Sequence, residues 1–203
     1  MKEFAVLESR KRRRIDPEEK KNLVIKAARR LFVQKGFHNV PITSIVESSG
    51  VSTGAIYSYF PTKEDLAKYI HEQTIGGFLE LFMARLEGRQ TTYDKLRAFA
   101  ELVFELTESD PDLMEYFIFM RHDEFIRGCA PVCFSEPFKI IRAIVTEGIA
   151  RGDLRPGDFF LTAVSFTGAI LRPCELRLCC VLETPLPEVA EELITSAWAA
   201  IRA

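Results

Sequence analysis

The sequence predicts an all-α fold, and three observations support this class. Apolar residues recur with helical spacing along the 203-residue chain, and capping residues, prolines and glycines separate the periodic segments. No segment alternates apolar and polar residues as a half-buried strand would, and no internal repeat is present. Apolar residues make up 47% of the chain and charged residues 28%, as in an ordinary globular protein with a sizeable core.

The first predicted helix begins after Asp16 and ends at Gly36. Pro17 suits the first turn of a helix, and Glu18 and Glu19 are favourable at a helix N-terminus. After this helix in the sequence, the segment from residue 43 to residue 66 predicts two short helices around a tight turn.

Capping and turn signals define these two short helices. Thr43 is expected to cap the first, Gly50 to take the positive φ of the turn, and Ser52 to cap the second. Lys63 is expected to begin a longer helix. The residues expected to face the core are Ile42, Ile45, Val46, Val51, Ile56 and Phe60.

The outer face of the second short helix carries no acid. It also lacks the Glu and Lys residues that solvated helices usually carry. Small side chains let a helix lie deep in the major groove, and hydroxyl groups reach phosphates and base edges. This face therefore predicts DNA binding, and the alternative is a solvent-exposed helix-turn-helix in an unrelated helical protein. Its residues are Thr53, Gly54, Ala55, Tyr57, Ser58 and Tyr59.

The pattern T-x-x-I-x-x-x-x-G-V-S-x-G-x-x-Y-x-Y-F-x-x-K-x-x-L resembles the DNA-binding domain of the tetracycline-repressor (TetR) family of bacterial transcription regulators. The resemblance extends without a gap over residues 20–66, and Ser49, where the family most often has alanine, is a small departure. It implies an N-terminal arm and helix-turn-helix domain over residues 1–66 and a helical effector-binding and dimerisation domain over residues 67–203. In this family, the residues that match Thr43, Ser52, Thr53, Gly54, Tyr57, Tyr59 and Lys63 lie at the DNA interface.

Breaker residues divide the remaining chain into further predicted helices. Their expected ranges are 63–86, 92–108, 112–125, 135–150, 159–182 and 187–202, with Gly76 and Gly77 as a weak point in the first. Pro173 removes a backbone donor, so it is expected to kink or end the penultimate helix.

The last two predicted helices are the expected homodimer surface, as the family resemblance implies. The alternative is that their apolar stripes complete the core of the monomer. The two stripes are Ala163, Phe166, Ile170 and Leu171, and Val189, Leu193, Ile194, Ala197, Trp198 and Ile201. A dimer also suits the function, because two recognition helices held one helical turn apart read a palindrome.

The predicted helix 112–125 is apolar almost all round, which is typical of a buried helix. Its aromatic and Met residues predict either a cavity for a small-molecule effector or a plain packed core. The polar run Arg121, His122, Asp123 and Glu124 follows it and is read as a solvated helix end rather than as a ligand anchor. The sequence assigns no specific ligand-binding residue.

Five cysteines without a secretion signal indicate a reducing cytoplasm rather than a disulfide framework. Two groups, Cys129 with Cys133 and Cys174 with Cys179 and Cys180, leave a thiol- or metal-sensing regulator open as an alternative. No C-x-x-C spacing is present and no histidine lies near either group, so no metal or cofactor is expected.

The charge distribution supports DNA binding at one end of the molecule. Residues 1–66 carry 13 basic and 8 acidic residues, a net charge of +5, whereas the rest of the chain has a net charge of −7. The run Arg10-Lys11-Arg12-Arg13-Arg14 is expected to be an arm that follows the DNA, and the alternative is a solvated tail. No membrane span or secretory signal is expected.

These observations together predict a ligand-responsive, sequence-specific DNA-binding regulator in the cytoplasm, most simply a homodimeric repressor. Its expected partners are a palindromic DNA operator and a small-molecule effector of unknown identity. No phosphate-binding glycine loop, H-E-x-x-H or G-x-S-x-G motif is present, so a helical enzyme is a remote alternative and no catalytic residue is assigned. A third class is an adaptor that uses the helix-turn-helix for protein contact.

Overall fold

The structure is a computed structural model that describes residues 16–120 and 135–203. Within these ranges the chain forms α-helices and no strand, apart from one isolated backbone bridge between Leu154 and Arg202, which confirms the all-α class. The helices are α1 (Pro17–Lys35), α2 (Ile42–Ser49), α3 (Thr53–Tyr59), α4 (Lys63–Leu86), α5 (Thr92–Ser109), α6 (Pro111–Phe119), α7 (Glu136–Arg151), α8 (Phe159–Leu178) and α9 (Leu186–Ile201). The predicted arm at residues 10–14, the polar run 121–124, Cys129 and Cys133 lie outside the described residues.

The first three helices and the start of α4 share one apolar core. α1 begins with Pro17 in its first turn and ends at Gly36, whose φ of 77° is open to glycine and strained for other residues. The buried members of this N-terminal core from α1 to α4 are Val24, Ala28, Phe32, Phe37, Val40, Ile45, Val51, Ile56, Phe60, Leu66, Ala67 and Ile70.

A second apolar core fills the body of the molecule. α5 is its central helix, because it packs against α4, α6, α7, α8 and α9. α4 connects the two cores: Leu66 and Ile70 are buried in the N-terminal core, and Phe78 and Phe82 are buried in the body core. Gly76 and Gly77 do not interrupt α4, and the domain boundary expected after residue 66 falls within this helix.

α6 is shorter than the sequence predicts. It ends at Phe119, and Met120 has an extended backbone (φ −73°, ψ 130°). The prediction of one helix through residue 125 is therefore wrong at Met120. Tertiary packing explains the difference, because Tyr116 and Met120 are buried in the N-terminal core rather than in the body.

The two stripes predicted for dimer contact pack mainly inside the monomer. Ala163, Phe166 and Ile170 on α8 are buried in the body core, as are Ile194 and Ala197 on α9. Leu171, Val189, Leu193 and Trp198 are half-buried. These stripes therefore join α8 and α9 to each other and to α5, which was the alternative interpretation.

Pro173 does not end α8. The helix continues to Leu178, because the proline removes a single backbone hydrogen bond from a helix that packs along its length against α9. Among the described helices, α8 is long and apolar enough to cross a membrane by length and composition, with a mean hydropathy of 1.2. In this structure it contributes Phe166 and Ile170 to the body core.

Candidate nucleic-acid interface

The turn between α2 and α3 is stabilised by local hydrogen bonds. Gly50 takes the left-handed conformation (φ 70°, ψ 9°), and its N–H donates to the Val46 carbonyl oxygen at 2.8 Å. Val51 then turns into the N-terminal core, and its N–H donates to the Ser49 hydroxyl oxygen at 3.2 Å. Ser49 therefore stabilises the turn through a hydrogen bond, in addition to fitting by its small size.

Thr43 does not cap α2, contrary to the sequence prediction. The helix begins one residue earlier, at Ile42, and Pro41 occupies the N-cap position without a side-chain hydrogen bond. Proline has no N–H to satisfy, and its fixed φ suits the entry into a helix. Thr43 is exposed in the first turn, so its hydroxyl group is accessible for contact with a ligand.

Helix α3 has one buried face and one exposed face. The Ser52 hydroxyl oxygen accepts a hydrogen bond from the Ala55 N–H at 3.4 Å, which confirms Ser52 as the N-cap. Ile56 is fully buried and Phe60, just after the helix, is 4% exposed. These two anchors hold the opposite face of α3 towards solvent.

The exposed face of α3 contains most of the residues expected to contact DNA. Tyr57 is the largest of them, with 47% of its surface exposed. The Ser58 hydroxyl donates to the Ala55 carbonyl oxygen at 2.7 Å, so its hydrogen is already engaged and its oxygen remains an acceptor. The exposed residues of this set are Thr43, Ser52, Thr53, Gly54, Tyr57 and Ser58.

Tyr59 and Lys63 are half-buried and differ from the rest of the set. The Lys63 ammonium donates to the carbonyl oxygens of Phe37 and Val40 at 2.9 and 3.2 Å, and it lies 4.3 Å from the centre of the Phe37 ring. These contacts tie the start of α4 to the segment between α1 and α2. Lys63 thus has a structural role that the sequence did not indicate, and its contact with the DNA backbone stays a prediction.

The N-terminal core is also joined to α6, at a contact that sequence reasoning missed. Arg29 donates to both carboxylate oxygens of Asp110 at 3.1 and 3.3 Å, and Arg30 pairs with Asp112 at 2.6 Å. Beside them, Tyr116 is fully buried. We call these five residues the α1–α6 joint. Asp110 also serves as the N-cap of α6, and no local sequence pattern pairs it with an arginine 81 positions earlier.

The described cysteines do not form a metal site. Cys174 is buried, its thiol donates to the Ile170 carbonyl oxygen, and burial raises the pKa of this thiol to about 11. Cys179 and Cys180 are exposed. Over residues 16–120 and 135–203, no three His, Cys, Asp or Glu residues are placed to hold a metal ion.

An exposed, acid-free helix after a tight turn on an all-helical chain defines a DNA-binding regulator with a separate helical body. Residues 24–70 match the family described as "Bacterial regulatory proteins, tetR family". This match identifies residues 24–70 as a DNA-binding domain of the TetR family.

Curated proteins of similar sequence are also named as regulators. The fatty acid metabolism regulator protein of Bacillus subtilis (strain 168) is 26% identical over 136 residues, which is 66% of this chain and 70% of that protein. Two further relatives align over only 28% and 34% of their own lengths.

Two solved structures share the fold over nearly their whole length. A TetR family transcription regulator from Marinobacter aquaeolei has a TM-score of 0.76 at 19% identity, and the alignment covers 91% of this chain and 96% of that one. FadR from Bacillus subtilis in complex with stearoyl-CoA has a TM-score of 0.70 at 22% identity, and the alignment covers 89% of this chain and 99% of that one.

Proposed function

We propose that this chain is a homodimeric repressor that binds a palindromic operator through α3 and is released by an effector with a long acyl chain. The observation that carries the proposal is the exposed face of α3, which has no acid and presents Thr53, Gly54, Tyr57 and Ser58 to solvent. A face of this composition is suited to phosphates and base edges. Such a regulator acts on DNA in the cytoplasm and needs no catalytic residue, cofactor or metal.

A second copy of the chain is the proposed partner of α8 and α9. The outer face of α8 carries exposed Leu161 and Val164, followed by Gly168 one turn later. These positions lie on the same helix face at spacings of three and four residues, and they differ from the buried stripe. A symmetric dimer through this face would place two recognition helices on two half-sites, about 34–36 Å apart in a typical operator.

The proposed effector is an acyl-CoA or a related amphipathic molecule. One relative is named as a regulator of fatty acid metabolism, and one structural neighbour was crystallised with stearoyl-CoA. The body of this chain is rich in aromatic contacts, because Phe78 lies 6.2 Å from Phe82, 6.2 Å from Phe99 and 5.2 Å from Phe117, measured between ring centres. Such surroundings favour an apolar ligand chain.

The α1–α6 joint is the proposed route from effector to DNA. α6 contacts α5 and α8 in the body and α1 in the N-terminal core, so a ligand that displaces α6 also displaces α1. Two ion pairs and buried Tyr116 make this contact specific. A coupling free energy of about 1–3 kcal/mol is typical of such regulators and is enough to empty many operators.

Gel-shift measurements with chromosomal fragments test the proposal. The purified protein should select fragments with a palindrome at nanomolar concentration and release them when palmitoyl-CoA is added. Free CoA, which lacks the acyl chain, is the control and should leave operator binding unchanged. Binding that is weak on every fragment and disappears at moderate salt would contradict the operator, whereas specific binding that palmitoyl-CoA leaves unchanged would contradict only the effector.

A further inference from the structure

Arg142 on α7 is a cation that has no counter-ion among residues 16–120 and 135–203. Its guanidinium carbon lies 5.0 Å from the centre of the Phe159 ring and 5.9 Å from the centre of the Phe160 ring, at the start of α8. Its Nε is buried and has no hydrogen-bond partner. Arg142 also forms no ion pair with any carboxylate in the described part of the chain. A partly buried charge of this kind costs free energy unless something pairs with it.

Nearby carboxylates are already engaged by other groups. On α7 itself, Glu136 pairs with Lys139, and Glu147 pairs with both Lys95 and Arg151. Asp158 precedes Phe159 and caps α8, accepting the N–H groups of residues 160 and 161 at 2.7 and 3.0 Å.

Arg29 provides an internal comparison. Its Nε is likewise buried without a partner, but its terminal nitrogen pairs with Asp110 at 3.1 Å, so its charge is neutralised. Arg142 has the same buried Nε and lacks the carboxylate. Within the described residues, Arg29 therefore has its carboxylate partner and Arg142 has none.

The surroundings of Arg142 indicate the kind of group that would complete it. Aromatic faces interact with the flat face of a guanidinium and leave its N–H donors in the plane unsatisfied. A planar fork of donors matches a carboxylate or a phosphate. Phe159 is 38% exposed, and Phe160 lies 6.1 Å from Phe138, which is buried in the body core, so the cation borders apolar surface at Phe159. An oxyanion attached to an apolar chain satisfies both features.

We infer that Arg142, flanked by Phe159 and Phe160, binds the oxyanion of an amphipathic effector, either a fatty-acid carboxylate or a phosphate of CoA. This inference rests on the proposed effector class and assigns its charged end to one residue. The acyl chain would then extend from this cation along the apolar side of α7 and α8, where Phe138 and Phe160 lie.

Isothermal titration with palmitate, palmitoyl-CoA and free CoA tests the assignment. The variants are Arg142→Gln, Arg142→Lys and the matched control Lys139→Gln, which removes an exposed cation from the same helix. Arg142→Gln should weaken binding about tenfold or more, because it removes a charge-assisted pair. Arg142→Lys should lose less, since it keeps the charge without the fork, and Lys139→Gln should bind as the wild type does.

The ligands separate the two sources of the oxyanion. If the Arg142 variants lose affinity only for palmitate, Arg142 binds the carboxylate. If they lose affinity for palmitoyl-CoA and free CoA, Arg142 binds a phosphate of CoA. Thermal melting checks folding, and Arg142→Lys serves as the test if Arg142→Gln does not fold. Unchanged affinity in both Arg142 variants would overturn the assignment while leaving the effector class intact.

Two other outcomes also overturn it. Arg142→Gln could shift the dimer–monomer equilibrium and leave ligand affinity unchanged, which would place the missing carboxylate on a second copy. Wild-type protein that binds none of the three ligands would remove the effector class together with this site, while operator binding would still support the regulator.

Discussion

The residues expected to contact DNA differ in how free their side chains are. Tyr57 is half exposed on α3, whereas the Lys63 ammonium is held by two backbone carbonyl oxygens, and the Ser58 hydroxyl donates to Ala55. A side chain that already has partners gains less from a new contact than a free one. Among these three residues, Tyr57 is therefore expected to contribute most to operator affinity.

Truncation of Tyr57 tests this ranking. Tyr57→Ala should weaken operator binding by about 1–3 kcal/mol, because it removes the largest exposed side chain of the recognition helix. The dimer and the free energy of unfolding should stay as in the wild type. Gel shift and urea unfolding measure the two effects. Leu81→Ala is the control, since Leu81 is also 47% exposed but lies in the body, and an equal loss there would contradict the interface.

Two glycines of the helix-turn-helix should respond to alanine in opposite ways. Gly54 lies inside α3 and an added Cβ meets nothing within 4 Å, so Gly54→Ala should raise the free energy of unfolding by ~0.5–1 kcal/mol. Gly50 has a φ of 70°, so Gly50→Ala should lower the free energy of unfolding by about 1 kcal/mol or more. If α3 enters the major groove, Gly54→Ala also loses operator affinity despite its greater stability. A Gly54→Ala variant that binds DNA normally would exclude a close approach at this position.

At the scale of helices, one cluster joins α5, α8 and α9. Arg177 on α8 donates to both carboxylate oxygens of Glu108 on α5 at 2.8 and 3.0 Å. Glu108 also accepts the N–H of Leu186, the first residue of α9, at 3.1 Å. Arg177 further donates to the carbonyl oxygens of Leu182 and Glu183. The α8–α9 connection therefore depends on the charge of Glu108.

The stability of the body should fall below about pH 4 because of Glu108. Hydrogen bonds from Arg177 lower the pKa of Glu108 in the folded state below the ~4.3 of an unfolded glutamate. Its contribution is therefore fully present above the unfolded pKa and is lost as the pH falls through the folded pKa. Glu108→Gln should be less stable than wild type at pH 7, and the difference should shrink at pH 3. Urea unfolding at pH 7 and pH 3 measures the difference in the free energy of unfolding, and exposed Glu188→Gln is the control. A difference that is independent of pH would contradict the role of the Glu108 charge.

Local signals predicted the helix-turn-helix, whereas tertiary packing decided the elements that sequence reasoning missed. The Gly50 turn and the Ser52 cap depend on residues within a few positions of each other, and both are confirmed. The end of α6 at Phe119 depends on the burial of Met120 in a distant core, which no local pattern reveals. Periodicity likewise showed that α8 is amphipathic, but it does not distinguish packing on α9 from packing on a second copy.

At the scale of the whole molecule, two separate cores are joined through α4 and α6. α4 is continuous from one core to the other, and α6 inserts Tyr116 into the N-terminal core beside two ion pairs with α1. Among the described residues, these contacts offer a change in the body a route to α3. The α1–α6 joint is therefore where operator binding and effector binding are expected to be coupled.

Asp110→Asn should reduce this coupling. Asparagine caps a helix as well as aspartate does, so α6 keeps its N-cap while the charge facing Arg29 is lost. The factor by which palmitoyl-CoA weakens operator binding should fall several-fold, with both separate affinities close to wild type. Gel shifts with and without the ligand measure the factor. Glu105→Gln breaks a comparable pair with Arg85 inside the body, and an equal effect there would contradict a special role for the joint.

The proposed dimer face is tested by placing a charge on it. Val164 is 40% exposed in the monomer, so Val164→Glu should be tolerated by the fold. Two such carboxylates in a symmetric interface would be desolvated and would repel each other, which should yield monomers and weaken operator binding. Light scattering after size exclusion gives the mass. Val181→Glu, on a residue that is 68% exposed beyond α8, should remain dimeric, and a Val164→Glu dimer would place the interface elsewhere.

The continuity of α4 has a geometric consequence. A helix of 24 residues is ~36 Å long, so a pivot of about 5° at its Leu86 end displaces its Lys63 end by ~3 Å. Lys63 is bound to the segment that leads into α2, so α2 and α3 would follow this displacement. Successive base pairs are separated by ~3.4 Å. A tilt that small in each subunit is therefore enough to move the two α3 helices out of register with the two half-sites of the operator.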